Sequence, residues 1–441
     1  MQQKSITIKS KKTEILSKII NCIKFCGKFE LPLRGHDEST SSKNPGVFRG
    51  LLDLVCENDL NLQTHLNSAT VFKGTSKTIQ NELLESILNV CKIKIVNEVQ
   101  NAEYLAVMCD ETTDVFDKIQ MVIILRYELK GKAVERFWGF FNPVNQTAEA
   151  LSCILCKELE LLIKDHPHKL IAQSYDGAAA LSGVNKGVQA RVKELYGNAH
   201  FVHCYAHQLN LILEKATSQN SNVRVFFNSL SGIPAFFSNS PQRMAALDNT
   251  AGRRIPRPST TRWNFKSRTV NAVYEAKDAL IECCSKLEAS NSKETGSAAA
   301  GIKRMLTDCD FNFWLTFFSK VMPLVEIMFS QLQSRSEDAC KAKSALKIFT
   351  SPIQELRDQC GSLISVDFEQ KRRRIDTSKS DAAKEVCDVI LLQCRERFSF
   401  TNHLEAAKLL LIQNFSVYAN SFPNDALAQA VKAYPVLVAD N

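Results

Sequence analysis

The sequence contains no run of about 18 or more consecutive apolar residues, the length that a membrane-spanning helix requires. Its beginning, MQQKSITIKSKK, lacks the apolar stretch of a secretion signal, which predicts that the chain is not secreted. Fifteen cysteines are present, but they have no regular spacing, and without a secretion signal they are expected to be reduced thiols. These absences favour an intracellular protein with neither a membrane span nor a disulfide framework.

Zinc modules and repeats are missing as well. The one Cys-x-x-Cys pair, Cys153 and Cys156, lies in an apolar helical pattern with no second pair nearby. Core thiols therefore explain it better than a zinc module, which needs further ligands. No internal repeat or strong low-complexity segment is found. At 441 residues, with 45% hydrophobic and 23% charged residues, the composition is that of a globular protein with two or three domains.

Polarity and hydrophobic spacing divide the chain into four segments. Residues 1–45 are polar and end in HDESTSSKNPG, and we interpret them as a partly flexible segment. Residues 46–103 have apolar residues spaced by three and four, which predicts a helical lead-in whose long helix can be capped by Thr78. Strand patterns are confined to residues 104–222. Long amphipathic segments without strand patterns predict an α-helical domain over residues 223–441.

The segment 104–222 alternates strands and helices in a defined order. LAVMCD, KIQMVIILRYEL and AVERFWGFFNPV predict three strands, the last two joined by a hairpin turn at Gly131 and Lys132. A helix capped by Thr147, a fourth strand KLIAQSYD, a helix from Gly183 to Tyr196 and a fifth strand HFVHCY follow. This order predicts an α/β fold with a mixed sheet and helices on both faces.

Two carboxylates follow strands of this predicted sheet. Asp110 ends the first strand in MCDETTD, and Asp176 ends the fourth strand in SYDGAAALSG. The carboxyl ends of strands are the usual place for a catalytic site on an α/β sheet. Two carboxylates there suit a divalent-metal site that acts on phosphodiesters. The alternative is structural, with Asp110 in a turn and Asp176 as the cap of the next helix.

Cys204 and His207 in VHCYAHQLNL lie three residues apart at a strand-to-helix junction, so they can share one helical face. A zinc site is one interpretation. No fourth ligand at suitable spacing is visible, so buried hydrogen bonds that brace the neighbouring strand are favoured.

Basic residues cluster between Pro241 and Arg268, against the single acid Asp248. They are Arg243, Arg253, Arg254, Arg257, Arg262, Lys266 and Arg268. Together with the formal net charge of +8, the cluster indicates a nucleic-acid interface or a solvated basic loop. Trp263 within it can stack on an unpaired base, or it can be a core tryptophan of the helical domain. The run 371-KRRR-374 is a second candidate, for nuclear import or phosphate binding.

Four motifs in order, MCDETTD, SYDGAAALSG, HCYAHQLNL and TTRWNF, resemble the hAT superfamily of cut-and-paste DNA transposases. More closely, the chain resembles the vertebrate branch with zinc finger MYM-type protein 1-like sequences and relatives of the repressor of the inhibitor of the protein kinase. The N-terminal CIKFCGKFELPLRGHDE also resembles this branch. The resemblance covers roughly residue 20 to the C-terminus. It implies an RNase H-like core that is interrupted by a large α-helical insertion.

The same resemblance implies roles for particular residues. Asp110 and Asp176 match the first two catalytic carboxylates, which bind Mg²⁺ or Mn²⁺ in an active enzyme. Cys204 and His207 match a motif beside the active site. The insertion's Arg-Trp pair, which stabilises a flipped base, matches Arg262 and Trp263. Apart from the resemblance, the charge cluster itself predicts Arg253, Arg254, Arg257 and Lys266 as further DNA contacts.

Two features of the family are not found. One is the N-terminal zinc finger, and the other is the third catalytic Glu, which lies in a Glu-Arg-x-Phe-Ser segment. Residues 396–399, Glu-Arg-Phe-Ser, lack the intervening residue and lie in a predicted helix, and Glu405 has no motif around it. We therefore expect a C-terminally truncated, transposase-derived nuclear protein that binds DNA and is not an active enzyme alone. Homo-oligomers would need the family's dimerisation region, expected beyond Asn441.

Other interpretations stay open. The chain can be a domesticated nuclear regulatory or protein-interaction module without catalysis. It can also be a fragment without function, or a nuclease of another RNase H-like family. The Arg262–Trp263 pair in a long helical insertion argues against the last of these.

Overall fold

A computed structural model gives the fold of this chain. It describes residues 2–39, 41–113, 118–257, 263–289, 292–334, 339–361, 377–398, 408–409 and 411–433. The chain divides into two compact units. The first comprises residues 1–103, 126–138 and 160–164, and the second comprises residues 104–125, 139–159 and 165–441.

Helices build most of the first unit: α1 Gln2–Lys28, α2 Val47–Cys56, α3 Leu60–Ser68 and α4 Lys77–Asn101. Ser76 caps α4 by accepting a hydrogen bond from the Ile79 N–H at 3.3 Å, so the cap is not Thr78. Residues at three-and-four spacing on α1 are buried against α2 and α3 in one hydrophobic cluster: Ile19, Cys22, Ile23, Cys26, Phe48, Leu52 and Leu62.

This cluster corrects the interpretation of residues 1–45 as a polar, partly flexible segment. The apolar spacing within ILSKIINCIKFC makes the second half of α1 an amphipathic helix with a buried face. The structure therefore has no domain boundary near residue 45, and α1 belongs to the same unit as α2 and α3.

One five-stranded sheet contains all the predicted strands: β1 Leu105–Thr113, β2 Ile119–Leu129, β3 Lys132–Phe141, β4 Leu170–Tyr175 and β5 His200–His203. The strand order is β3-β2-β1-β4-β5, and β4 lies parallel to both β1 and β5. Lys130 and Gly131, with φ of 55° and 77°, form the two-residue turn between β2 and β3, one residue earlier than predicted. The mixed sheet confirms the predicted α/β fold class.

Alternating burial explains the strands. On β2, every second residue from Met121 to Tyr127 is at most 3% exposed. On β1, Leu105, Val107 and Cys109 are buried in the same way. Because side chains alternate between the two faces of a sheet, Asp110 lies on the face opposite to Cys109.

Four helices alternate with the last strands. Helix α5 Ala148–Ile163 lies between β3 and β4, α6 Ala179–Ser182 and α7 Val188–Leu195 lie between β4 and β5, and α8 Tyr205–Ser218 follows β5. Thr147 accepts a hydrogen bond from the Ala150 N–H at 3.4 Å, as predicted for the cap of α5. The helix expected over residues 183–196 is shorter and begins at Val188, because Gly183 and Gly187 pack in close backbone contact before it.

Beyond α8 the described residues contain no strand. The helices are α9 Ser221–Ser238, α10 Pro241–Ala251, α11 Trp263–Glu275, α12 Lys277–Glu288, α13 Lys293–Thr307, α14 Cys309–Leu332, α15 Ala339–Gln359, α16 Thr377–Arg397, α17 Phe415–Tyr418 and α18 Asn424–Ala433. Buried residues of α8 share one hydrophobic cluster with α9 to α16. Helix α8 thus joins the predicted segments 104–222 and 223–441. Its residues Leu209, Ile212 and Leu213 belong to the first segment but pack in one cluster with buried residues of the second.

By length and composition α14 is apolar enough to cross a membrane, and among the described helices it alone passes that test. Half of its most apolar window is buried inside the protein. Trp314, Phe317, Phe318 and Met322 are each at most 2% exposed in the helical core. We therefore interpret α14 as the central core helix of the second unit.

Candidate functional site

Three residues form a row across neighbouring parallel strands: Asp176 and Cys204 directly follow β4 and β5, whereas Asp110, predicted to end its strand, lies within β1, which continues to Thr113. Met108 on β1 pairs with Ser174 on β4, and Ser174 pairs with Val202 on β5. Two residues further along each strand lie Asp110, Asp176 and Cys204. The Cys204 N–H donates to the Tyr175 carbonyl at 3.0 Å, which extends the ladder between β4 and β5 up to this row. Since adjacent strands are about 4.8 Å apart, the register brings the two predicted carboxylates to one sheet edge.

Both aspartates also accept a hydrogen bond from a nearby backbone N–H. Asp110 Oδ1 accepts a hydrogen bond from the Glu111 N–H at 3.0 Å. Asp176 Oδ1 accepts one from the Ala178 N–H at 3.0 Å, where the chain turns from β4 towards α6. Neither structural alternative is found as predicted, because Asp110 lies in β1 and the N-cap of α6 is Ala178, not Asp176.

The electrostatic surroundings support this convergence. Desolvation raises the pKa of the Glu111 carboxyl, and the negative charges of Asp176 and Asp110 raise it further by smaller amounts. Desolvation also raises the pKa of the Cys204 thiol, and the same two aspartates add to that increase. Cys204 is nevertheless exposed as a whole residue. Asp110 and Asp176 thus act together on two neighbouring groups.

Glu111 received no separate role from sequence reasoning. Its Oε1 atom is buried, and among the described residues it has no hydrogen-bond partner. An ionised carboxylate in this position is costly, because it is partly desolvated beside two other negative charges. Only the folded chain reveals this feature, since an acid after a strand-end Asp has no distinguishing sequence signal.

His203, just before Cys204, packs tightly against the turn after Asp176. An added Cβ on Gly177 would lie 2.8 Å from both Cε1 and Nε2 of His203. The His203 ring stacks near-parallel on His207 at a centroid distance of 6.0 Å. Desolvation and the proximity of His207 and Arg397 lower the pKa of His203 to about 4, against an opposing effect of Asp176. The ring is therefore a neutral imidazole at neutral pH.

A buried polar network ties α16 to α8. Arg397 Nη1 donates to Gln208 Oε1 at 3.0 Å, and Arg397 Nε donates to Gln393 Oε1 at 3.1 Å. Gln208 and Gln393 are only 3% and 2% exposed. Gln393 in turn donates to Glu396, which lies in α16 as expected from its helical pattern. Arg397 lies in the Glu-Arg-Phe-Ser string of residues 396–399 but was not predicted as a site residue. Glu405 lies outside the described residues.

The described residues of the basic cluster do not form one continuous cationic surface. Arg243 turns inward, donates to Thr295 Oγ1 at 3.0 Å and lies over the Phe236 ring. Arg253 and Arg254 are exposed and pair with Glu275 and Asp248. The exposed Arg257 donates to Ser238 and Asn239. Arg262 and the run 371–374 lie outside the described residues.

Trp263 is buried, with only 4% of its surface exposed. Its ring packs edge-on against Phe227 at 5.2 Å between centroids, and its backbone N–H donates to Asn210 Oδ1 at 3.3 Å. Lys266 Nζ lies 4.0 Å from the centre of the indole ring, and desolvation lowers the pKa of this lysine. The core interpretation of Trp263 matches this geometry, whereas stacking on a base requires Lys266 to move.

No group of three or more His, Cys, Asp or Glu side chains is arranged to hold a metal ion in the part of the chain that the structure describes. The cysteines there are free thiols. Cys153 is exposed and Cys156 is half-buried in α5, where burial raises the pKa of Cys156 to about 11. The Cys-x-x-Cys pair has no further ligands around it among these residues.

Comparison with known proteins adds the family. Residues 1–187 match the family described as ZMYM1/FAM200, RNase-like domain (DUF4371). The human 52 kDa repressor of the inhibitor of the protein kinase is 21% identical over 378 residues. That alignment covers 80% of this chain, which spans about half, 49%, of the relative. Residues 1–187 thus resemble the RNase-like domain of the ZMYM1/FAM200 family, and the mixed sheet agrees with a domain of that kind.

Proposed function

We propose that this chain is a transposase-derived, nuclear DNA-binding protein with a regulatory role. Its core would descend from a Mg²⁺-dependent cut-and-paste transposase of the hAT type. The row of Asp110, Asp176 and Cys204 at one sheet edge is the observation that carries the proposal, because a strand-end carboxylate pair is what phosphodiester chemistry requires. The name of the human relative, a repressor, supports the regulatory part.

The carboxylate pair fits a weakly held Mg²⁺ or Mn²⁺ ion. Mg²⁺ is commonly bound by one or two carboxylates and keeps several waters. Asp110 and Asp176 would supply those carboxylates. The raised pKa of Glu111 fits an excess of negative charge that a bound cation would relieve. When bound, the ion would neutralise a DNA phosphate at the sheet edge.

A calorimetric titration with Mn²⁺ tests this metal site without relying on catalysis. We expect Asp176→Asn to abolish the binding heat, since it removes one of the two charged ligands. Asp165→Asn is the matched control, because Asp165 is an exposed acid of the same unit away from the row. Unchanged Mn²⁺ affinity in Asp176→Asn would remove the metal from the proposal.

We propose binding rather than strand transfer for this chain. The described residues contain no third ligand beside Asp110 and Asp176, and two-metal phosphodiester chemistry needs a more complete ligand set. Incubation with supercoiled plasmid and Mn²⁺ should leave the plasmid intact. Nicking that Asp110→Asn abolishes would instead assign the chain as an enzyme.

The DNA-facing surface would include the exposed arginines of the helical domain. Arg253, Arg254 and Arg257 make surface contacts that cost little to exchange for phosphate, because exposed ion pairs contribute about 0–1 kcal/mol. Lys266 would join them if it left the Trp263 ring, which would also free that ring for a base. Arg262 is the fourth arginine of this proposed surface by sequence.

Fluorescence anisotropy with labelled duplex and hairpin DNA tests the surface. The triple variant Arg253→Gln, Arg254→Gln and Arg257→Gln should weaken binding and flatten the salt dependence by about 0.9 per lost phosphate contact. A triple Gln variant of the exposed Arg224, Arg304 and Arg395 is the matched control. Failure of the natural chain to bind either DNA at low salt would refute the proposed function.

A protein-interaction module without DNA binding is the second candidate. Helix α4 exposes apolar side chains on its outer surface, among them Val90 at 67% and Ile93 at 61%. With Leu129 these residues line a shallow groove of about 420 Å³. Exposed apolar surface of this kind is typical of partner binding. Loss of DNA binding in the experiment above would favour this candidate.

A further inference from the structure

The positive charge of the chain is concentrated in its first helix. Residues 1–28 contain seven lysines and one acid, Glu14, which gives a net charge of +6. The whole chain carries +8, so the remaining 413 residues contribute only +2. The basic cluster at residues 241–268 has the same net charge of +6 over 28 residues, but acids already pair with Arg253 and Arg254 there.

The described lysines of α1 include several without a neutralising partner. Lys11, Lys12, Thr13 and Glu14 are all exposed, and four successive residues of a helix point in every direction around its axis. At this turn the helix therefore has no side packed against protein. Lys18 already pairs with Glu14 at 2.7 Å and also with Asp59. In the described part of the chain, no ion pair neutralises Lys11, Lys12 or Lys24.

The dimensions of the helix suit a long polyanion. Its 27 residues span about 40 Å, comparable with one turn of duplex DNA. Lys24 and Lys28, four residues apart, repel each other on the helix surface, and an anionic partner would relieve this repulsion. Duplex DNA presents one negative charge per about 1.7 Å of axis, so it can neutralise such lysines without a specific geometry.

A membrane surface fits less well. Interfacial helices need a broad apolar or aromatic face beside the basic one. In residues 2–14 the apolar side chains are only Ile6 and Ile8, and there is no aromatic residue. Further along, Ile19 and Ile23 are buried in the core of the first unit, and Phe25, 43% exposed, is the single aromatic residue of α1, too little for a broad apolar face.

We propose that α1 is a second nucleic-acid contact, which binds the phosphate backbone of duplex DNA without reading its sequence. The proposal rests on the DNA-binding function proposed above and assigns it an additional surface in the first unit. Its contribution is electrostatic, so it falls steeply with salt concentration.

The test uses the full chain and a labelled 30-base-pair duplex of about three helical turns. The variant Lys11→Gln, Lys12→Gln and Lys24→Gln is compared with the natural chain over a series of salt concentrations. If each lysine neutralises one phosphate, the salt slope should lose about 0.9 per lysine, or about 2.7 in total. Since these side chains are exposed, the melting temperature should stay within about 1 °C, the scale of a surface change below 0.5 kcal/mol.

Three exposed lysines elsewhere, Lys43, Lys157 and Lys293, changed to Gln provide a control with the same loss of charge. If both triple variants weaken DNA binding equally, the loss reflects the net charge of the chain, and the assignment of a DNA contact to α1 is overturned. If the natural chain binds DNA and the α1 variant binds equally well, the α1 contact is refuted while the proposed function stands. If the natural chain does not bind DNA, both proposals fail.

Binding to vesicles of phosphatidylcholine with phosphatidylserine tests whether α1 contacts an anionic membrane surface instead of DNA. We expect binding to vesicles to be weak and insensitive to the α1 variant. Strong vesicle binding that the variant abolishes, with unchanged DNA binding, would assign the helix to a membrane surface instead.

Discussion

Gly177→Ala should destabilise the second unit by about 1–3 kcal/mol, the usual cost of inserting a methyl group into a packed site. The new Cβ would lie 2.8 Å from two atoms of the His203 ring and 3.2 Å from Leu211 Cδ1. Ordinary carbon contacts are about 3.5–4.0 Å, so the ring has to retreat by about 0.7 Å or more. Its retreat is opposed by His207, whose ring stacks at 6.0 Å, and by Phe201 at 5.9 Å.

Urea denaturation followed by near-UV circular dichroism measures this loss, and a double-mutant cycle identifies its cause. In the background of His203→Ala the obstacle is gone, so Gly177→Ala should cost close to nothing. Gly197→Ala is the control, since an added Cβ there would meet no atom within 4 Å. If Gly177→Ala costs the same with and without the His203 ring, the packing described for this turn is incorrect.

The pH dependence gives a second measurement of the same contact. Because the pKa of His203 is lowered to about 4, the unfolded chain binds this proton more tightly than the folded chain. The stability that the neutral ring contributes is present above the ordinary value of about 6.5 and is lost as pH falls towards 4. In Gly177→Ala, a ring displaced into solvent should titrate nearer 6.5 by NMR. A His203 signal that titrates near 6.5 in the natural chain would contradict the described burial.

Three further predictions follow from the same structure. Glu111→Gln should stabilise the fold by about 1 kcal/mol at pH 7, because the raised pKa of the Glu111 carboxyl means that its ionisation is costly in the folded chain. This gain should vanish at acidic pH, where the carboxyl is protonated in both states. A variant that is less stable than the natural chain in urea titrations at pH 7 would contradict this reasoning. Trp263→Ala should lower stability by about 3–5 kcal/mol as a core truncation, and an unchanged melting temperature would instead mark the ring as an accessible platform. Arg397→Ala should lower the free energy of unfolding in urea by about 1–3 kcal/mol, because it leaves the buried Gln208 without its donor. Arg395→Ala, on the exposed side of α16, is the control and should be nearly neutral. Equal effects of the two variants would show that the hydrogen bonds of Arg397 do not stabilise the fold.

Much of the fold could be predicted from local patterns. Alternating burial on β2 follows from its alternating apolar residues, and the Lys130–Gly131 turn lies within one residue of its predicted place. Thr147 caps α5 as expected. These features depend on neighbours within a few residues, which is why a single sequence is sufficient for them. The N-terminal segment was misinterpreted because its many lysines obscured the buried spacing of Ile19 and Ile23.

The candidate site could be predicted only in part. That Asp176 follows a strand is visible in the sequence, as is the Cys204–His207 spacing, but β1 continues three residues beyond Asp110. The roles of Glu111 and Arg397 were not visible, since each depends on groups more than 60 residues away in the chain: Asp176 for Glu111 and Gln208 for Arg397. The basic cluster was over-interpreted, because Arg243 and Lys266 turn inward onto aromatic rings. Charge counts along a sequence do not reveal which side chains face solvent.

The sequence by itself determined the strands, most of the helices, the α/β class and the two strand-end aspartates, because each follows from hydrophobic periodicity over a short window. Tertiary structure decided the rest. Asp110 lies next to Asp176 only because β1 pairs with β4 in the sheet, and this strand order depends on contacts between distant segments of the chain. Only packing places Lys266 over Trp263 and His203 against Gly177, and only the folded chain leaves Lys11, Lys12 and Lys24 facing solvent.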